Sequence, residues 1–136
     1  MIGLDTNILV RYIAQDDPTQ SRRATLLIER ECSESNPSFV GLVVLAEMVC
    51  VAESCYSASR GEQCQIVRRI LETRQLIIRE AETVWQALRL FEQGKADFAD
   101  CLVERTAAAA GCDRTVTFDK AAGTIGMSLL TAALKA

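Results

Sequence analysis

The chain contains no histidine. That one absence excludes Ser-His-Asp and Cys-His catalysis, His-ligated zinc and imidazole acid–base chemistry. Aromatic residues are also scarce, at 5%, so extensive stacking of nucleic-acid bases is not expected. Basic charge is not in excess: 15 Lys and Arg face 18 Asp and Glu, a formal charge of −3. Any contact with a polyanion must then come from a local basic patch or a bound cation. No pair among Cys32, Cys50, Cys55, Cys64, Cys101 and Cys112 has C-x-x-C spacing, which argues against a zinc or dithiol redox site. Cys50, Cys55 and Cys101 fall inside apolar helical patterns and are expected to be buried thiols in a reducing, cytoplasmic compartment. No apolar run is long enough to span a membrane, and the first residues lack the basic segment of a signal peptide.

What remains is a globular composition, 49% apolar and 24% charged over 136 residues, and a single domain over 1–136 is expected. Ile2-Gly3-Leu4 reads as a short strand and Ile8 to Ala14 as a short helix. Thr19 to about Glu34 has an amphipathic period, with Ala24, Leu27 and Ile28 on one face. Phe39-Val40 reads as a strand. Leu42 to Cys55 is so apolar that it predicts a helix buried nearly all round. A helix starts at Ser59 to Glu62, a strand covers Leu76 to Ile78, and Val84, Trp85, Leu88 and Phe91 line a helix that Gly94 ends. Asp97 to Ala110 forms another, stopped by Gly111. Thr115 to Phe118 is a strand, a short helix starts at Asp119, and Ser128 to Leu130 is a last strand. Short apolar strands alternating with helices predict an α/β fold with a parallel sheet covered on both faces.

The acids are the chemically informative residues. Asp5 and Asp119 directly follow predicted strands, the place where open parallel sheets bind ligands. Asp97 and Asp100 are three apart at a helix start, on one face. Each also has an ordinary reading as a helix cap or first-turn acid. Glu47 sits mid-helix among apolar residues, where an ionised carboxylate needs a base, a proton, a route to water or a cation. Gathered in one place, such acids are stable as anions only with cations between them. All-oxygen donors select Mg²⁺ or Mn²⁺ over Zn²⁺, and that is the setting for metal-assisted phosphodiester hydrolysis.

Four segments carry a resemblance: Gly3-Leu4-Asp5-Thr6-Asn7-Ile8-Leu9-Val10, Val43-Val44-Leu45-Ala46-Glu47-Met48-Val49, Asp97-Phe98-Ala99-Asp100-Cys101-Leu102-Val103, and Thr117-Phe118-Asp119. In order and spacing they resemble the PIN domain, and within it the VapC ribonuclease toxins of toxin–antitoxin pairs. The resemblance implies a three-layer α/β/α fold with a central parallel sheet of four or five strands, and Mg²⁺- or Mn²⁺-dependent hydrolysis of RNA. It implies catalytic roles for Asp5, Glu47, Asp100 and Asp119. Asp5 and Asp100 would be primary metal ligands, Asp119 would complete the site, and Asp97 would be an accessory acid. Glu47 would hold the metal through water or position the attacking water. Thr6 and Asn7 would orient Asp5. Toxins of this kind often carry Ser or Thr shortly before the helix of the second acid, where this chain has Gly41-Leu42. The resemblance further implies a homodimer and a cognate antitoxin protein.

Lys95, Arg114 and Lys120, with Arg11, Arg22 and Arg23, are the candidate phosphate contacts because they neighbour the acidic segments. Two other classes of function fit some of these residues. A receiver-like phosphoacceptor domain also uses strand-end Asp and Mg²⁺, but leaves Glu47 without a role. A non-catalytic binding module of PIN fold would use the same acids structurally.

Overall fold

Five helix starts among the described residues are set by side chains that take up free backbone N–H groups. The structure is a computed structural model, and residues 1–130 are described. Strand β1 (Ile2–Gly3) leads through Leu4 to Asp5, whose carboxylate accepts from the Thr6 N–H and caps α1 (Thr6–Ala14). Asp17 caps α2 (Pro18–Leu26) by accepting from the Gln20 N–H, with Pro18 in the first turn, where its missing N–H is harmless. A wide π-type turn, Leu27–Glu31, then ends the helical segment, three residues short of the Glu34 expected from periodicity. After β2 (Ser38–Phe39) comes α3 (Leu42–Tyr56), then α4 (Arg60–Glu72) with a reciprocal Ser59–Glu62 capping box, and β3 (Leu76–Ile77). The remaining elements are α5 (Ala81–Gln93), α6 (Phe98–Ala109), β4 (Val116–Thr117), α7 (Lys120–Gly123) and β5 (Ser128–Leu129).

The α/β class and all five strand positions agree with the sequence reading, but the pairing differs from one sheet of four or five strands. Among the described residues, β1, β2 and β3 form a three-stranded parallel sheet with β2 in the middle, and β4 and β5 form a separate parallel pair. Each strand is two residues long, so the ladders close after a few bonds and apolar runs of three or four residues overstate them.

The chain divides into two compact units, Met1–Ala81 and a second beginning at Glu82. In the first, α1 packs on α2 and α3, and α3 on α4. Leu9, Ile28, Val40, Leu45, Met48, Val67 and Ile70 form its buried interior. In the second, Val84, Leu88, Phe91, Phe98 and Cys101 are buried. Phe91 and Phe98 meet edge to face, with ring centroids 5.8 Å apart and planes at 81°, an arrangement that adds to simple area burial.

The expectation that α3 is buried nearly all round is incorrect. Only Leu45, Met48, Val49 and Ala52 are buried, while Val43 is 72% exposed and Cys50 and Cys55 are exposed thiols. Of the three cysteines expected to be buried, Cys101 alone is. High hydropathy on every side of a helix does not create neighbours on every side. Here α3 lies against α1 and α4 and leaves a wet apolar stripe.

Gly94 ends α5 through an N–H bond to the Leu90 carbonyl. A methyl group there would collide with Cγ2 of Ile125 and come within 3.2 Å of the Leu90 carbonyl oxygen. A β-branched methyl and a backbone oxygen have little room to yield. Gly94→Ala should therefore lower stability by about 1–3 kcal/mol through overpacking, read as a reduced urea midpoint.

Candidate active site

The acids singled out in the sequence fall into one group in each unit. In the first unit, Asp5 and Glu47 are linked by Thr6. The Thr6 N–H donates to Asp5 Oδ1 at 2.8 Å, and the Thr6 hydroxyl donates to Glu47 Oε2 at 3.3 Å. Thr6 is itself buried, so its rotamer is fixed by packing and it holds two carboxylates of distant sequence origin on either side of one residue. Thr6 meets Asp5 through its backbone and Glu47 through its side chain. Asn7 has no such contact. Its side chain makes no hydrogen bond among the described residues and lines a cleft of about 490 Å³ with Ile8, Arg11, Gln20, Arg23, Ala24 and Leu27.

Glu47 needs a correction. Its predicted significance rested on confinement inside an apolar helix, yet it is exposed. The wet face of α3 supplies the route to water that hydropathy alone seemed to deny. What distinguishes Glu47 is its hydrogen bond to Thr6, a contact across 41 positions of sequence.

In the second unit, Asp97 caps α6 by accepting from the Asp100 N–H at 2.8 Å, and Asp119 caps α7 by accepting from the Ala121 N–H at 2.9 Å. Asp100 occupies the first turn of α6. Its carboxyl pKa is raised above the ordinary aspartate range, first by burial, then by the charge of Asp97 and a shared hydrogen bond with it, and then by the charge of Asp119. Asp100 therefore senses an acid at each of two helix starts and resists ionising.

Capping occupies Oδ1 of Asp5 and of Asp119, and Oδ2 of each has no protein donor among the described residues. The donor set is all carboxylate oxygen, as hard cations require. Among the described residues no three acidic or thiol side chains stand close enough to hold a metal ion by themselves. Mg²⁺ is commonly bound by one or two carboxylates with water filling the remaining positions, so the acids present fit such an ion.

Of the candidate phosphate contacts, Arg11 is already engaged. Its Nη1 meets Asp16 Oδ1 at 3.1 Å and its Nε donates to Gln20 Oε1 at 2.8 Å. Arg22, Arg23, Lys95, Arg114 and Lys120 are exposed. One residue was passed over in the sequence. Phe118, read as the end of a strand and part of the Thr117-Phe118-Asp119 segment but given no role, is 82% exposed beside Asp119.

A sequence model of the PIN domain matches residues 2–125. The chain belongs to the PIN domain family, whose members are generally metal-dependent nucleases acting on RNA or DNA. No curated protein matches it. The receiver-like alternative gains nothing from that match. Among the described residues no helix is long and apolar enough to cross a membrane.

Asp100 supplies a pH-linked test in the metal-free protein. A carboxyl whose pKa is raised on folding binds protons more readily in the folded state, so stability is lost as pH rises from the ordinary aspartate range through the raised value. Asp100→Asn removes that loss. The variant should melt at a higher temperature than the parent at pH 7 in EDTA, and the gap should close as both are taken to acid pH, where Asp100 is protonated in either state.

Proposed function

We propose that this PIN domain is a Mg²⁺- or Mn²⁺-dependent endoribonuclease and the toxin of a type II toxin–antitoxin pair. The observation that carries the reading is the family match, which runs across residues 2–125, together with the placement of Asp97, Asp100 and Asp119 at the starts of α6 and α7. Anions arranged to destabilise one another are stabilised when a cation is shared. The same match crosses the boundary at Glu82, which supports reading residues 1–136 as a single domain.

In this reading Asp5 and Asp100 are the principal metal ligands, Asp119 completes the set and Asp97 is an accessory acid. When bound, the divalent ion supplies charge neutralisation at the phosphate and acidifies water. The protein supplies position. Thr6 fixes the Asp5 carboxylate through its N–H and the Glu47 carboxylate through its hydroxyl, so Glu47 can orient the water that attacks phosphorus. Asn7 remains a candidate for steadying Asp5 through its place at the start of α1. Exposed Arg22, Arg23, Lys95, Arg114 and Lys120 are proposed to contact phosphates flanking the cleaved bond.

A homodimer and a cognate antitoxin follow from the toxin reading, and the wet apolar side chains on α3, Val43 and Cys50, support a protein partner. The cytoplasm is the proposed compartment, supported by the exposed, unbridged thiols of Cys50, Cys55 and Cys112. A second reading, a non-catalytic binding module of PIN fold, is favoured by one observation, the lack of a three-ligand cluster among the described residues.

The two readings separate on cleavage of a single-stranded RNA by the purified chain. The nuclease reading expects cutting with Mn²⁺ or Mg²⁺ that stops with EDTA. Asp5→Asn and Asp100→Asn should each lose at least about 100-fold in rate, and Thr6→Val about 10- to 100-fold, as expected for a residue that orients a ligand. Circular dichroism should show all three folded. Full activity in either Asp variant, or cutting that survives EDTA, contradicts the assignment, and no cutting under any condition favours the binding module.

A further inference from the structure

Phe118 is the most exposed large apolar side chain among the described residues, at 82%, whereas Phe91 and Phe98 are each 1% exposed. A ring left in water forfeits its burial, so its position calls for a reason. Its backbone is held on both sides. The Asp119 N–H donates to the Thr117 hydroxyl at 3.0 Å, and Asp119 Oδ1 accepts from the Ala121 N–H at 2.9 Å. The ring therefore projects from a fixed turn and makes no ring contact of its own among the described residues. Its immediate neighbour in sequence is Asp119, the acid that caps α7. Exposed cations lie close in the chain, Lys120 two residues on and Arg114 four residues back. Lys95 is tied to the end of α7 by its backbone N–H, which donates to the Thr124 hydroxyl at 3.1 Å.

We propose that Phe118 is a stacking platform for one unpaired nucleobase of the RNA substrate, beside the cleaved phosphate. The inference rests on the ribonuclease reading and adds to it a residue that selects single-stranded RNA and sets the position of cutting. A planar ring on a rigid turn, with an acid that would serve the reaction on one side and cations suited to phosphates nearby, matches the alternation of base and phosphate along one strand. A protein partner fits less well. The cores of protein interfaces are depleted in charge, whereas this ring is followed in the chain by Asp119 and Lys120, both exposed. The exposed apolar side chain on the adjoining strand β4 is Val116.

The test is steady-state cleavage by the full chain, with Mn²⁺, of a single-stranded oligoribonucleotide and of a series in which one nucleotide at a time is abasic. Phe118→Ala should raise KM about tenfold, in keeping with loss of one base–aromatic stack, with kcat changed less than about twofold. Phe118→Trp should behave as the parent, and Phe118→Leu, apolar but not planar, as the alanine variant. At one abasic position the difference between parent and Phe118→Ala should vanish. The inference is overturned if KM is unchanged in Phe118→Ala, if Leu serves as well as Phe, or if the difference persists at every abasic position. It is also overturned if sedimentation shows that the alanine variant weakens self-association while cleavage is unaffected, which assigns the ring to a second copy of the chain. If the parent shows no metal-dependent cleavage at all, the ribonuclease reading falls and this inference with it. If the parent cuts and Phe118→Ala cuts identically, the inference alone falls.

Discussion

The constraint on which this structure turns is the placement of carboxylates at the N-terminal ends of helices. A helix start offers N–H groups without partners and the positive end of the backbone dipole. Asp5, Asp97 and Asp119 each use one oxygen to satisfy such a group, and this fixes the side chain in place. Asp17 does the same at the start of α2, which shows that a cap is not in itself a site. What differs at α6 and α7 is company. Asp100 lies one turn from its own cap and feels both Asp97 and Asp119, so that burial and like charge together work against its ionisation. The helix ends favour these negative charges, and Asp100 still resists ionising.

Thr6 performs a similar task with hydrogen bonds. One buried residue uses its backbone for Asp5 and its side chain for Glu47. Preorganisation of this kind matters because a displacement of even an ångström at reacting groups is costly in rate. It also explains why a glycine is tolerable at the start of α3. Gly41 makes no side-chain cap, and Glu47 takes its hydroxyl partner from α1 instead.

Much of this was legible in the residues. The aspartate caps, the Ser59–Glu62 box and the stop at Gly111, which adopts a positive φ of 96°, follow from local chemistry that depends on a few neighbours. Burial was less legible because it depends on which faces meet. Hydropathy placed α3 in the interior, but α3 packs along one side only, so Val43 and Cys50 are wet and Glu47 reaches water. Strand pairing was also beyond local pattern. Five apolar runs were visible, yet two-residue ladders pair as three and two. Phe118 could have been noticed from alternation, since it stands two residues after Val116 in the Thr115 to Phe118 run, but its exposure depends on what packs against it. The long-range bond between Thr6 and Glu47 had no sequence signal beyond the shared family motif.

The central proposal is that the acids at the starts of α6 and α7 hold a divalent ion. Calorimetric titration of the metal-free protein with Mn²⁺ tests it most directly. The account predicts bound Mn²⁺ that is lost alike in Asp100→Asn and Asp119→Asn, with the double variant no worse than either single one, as for residues acting on a shared site. Mn²⁺ binding that survives either substitution, or losses that simply add, would contradict the account.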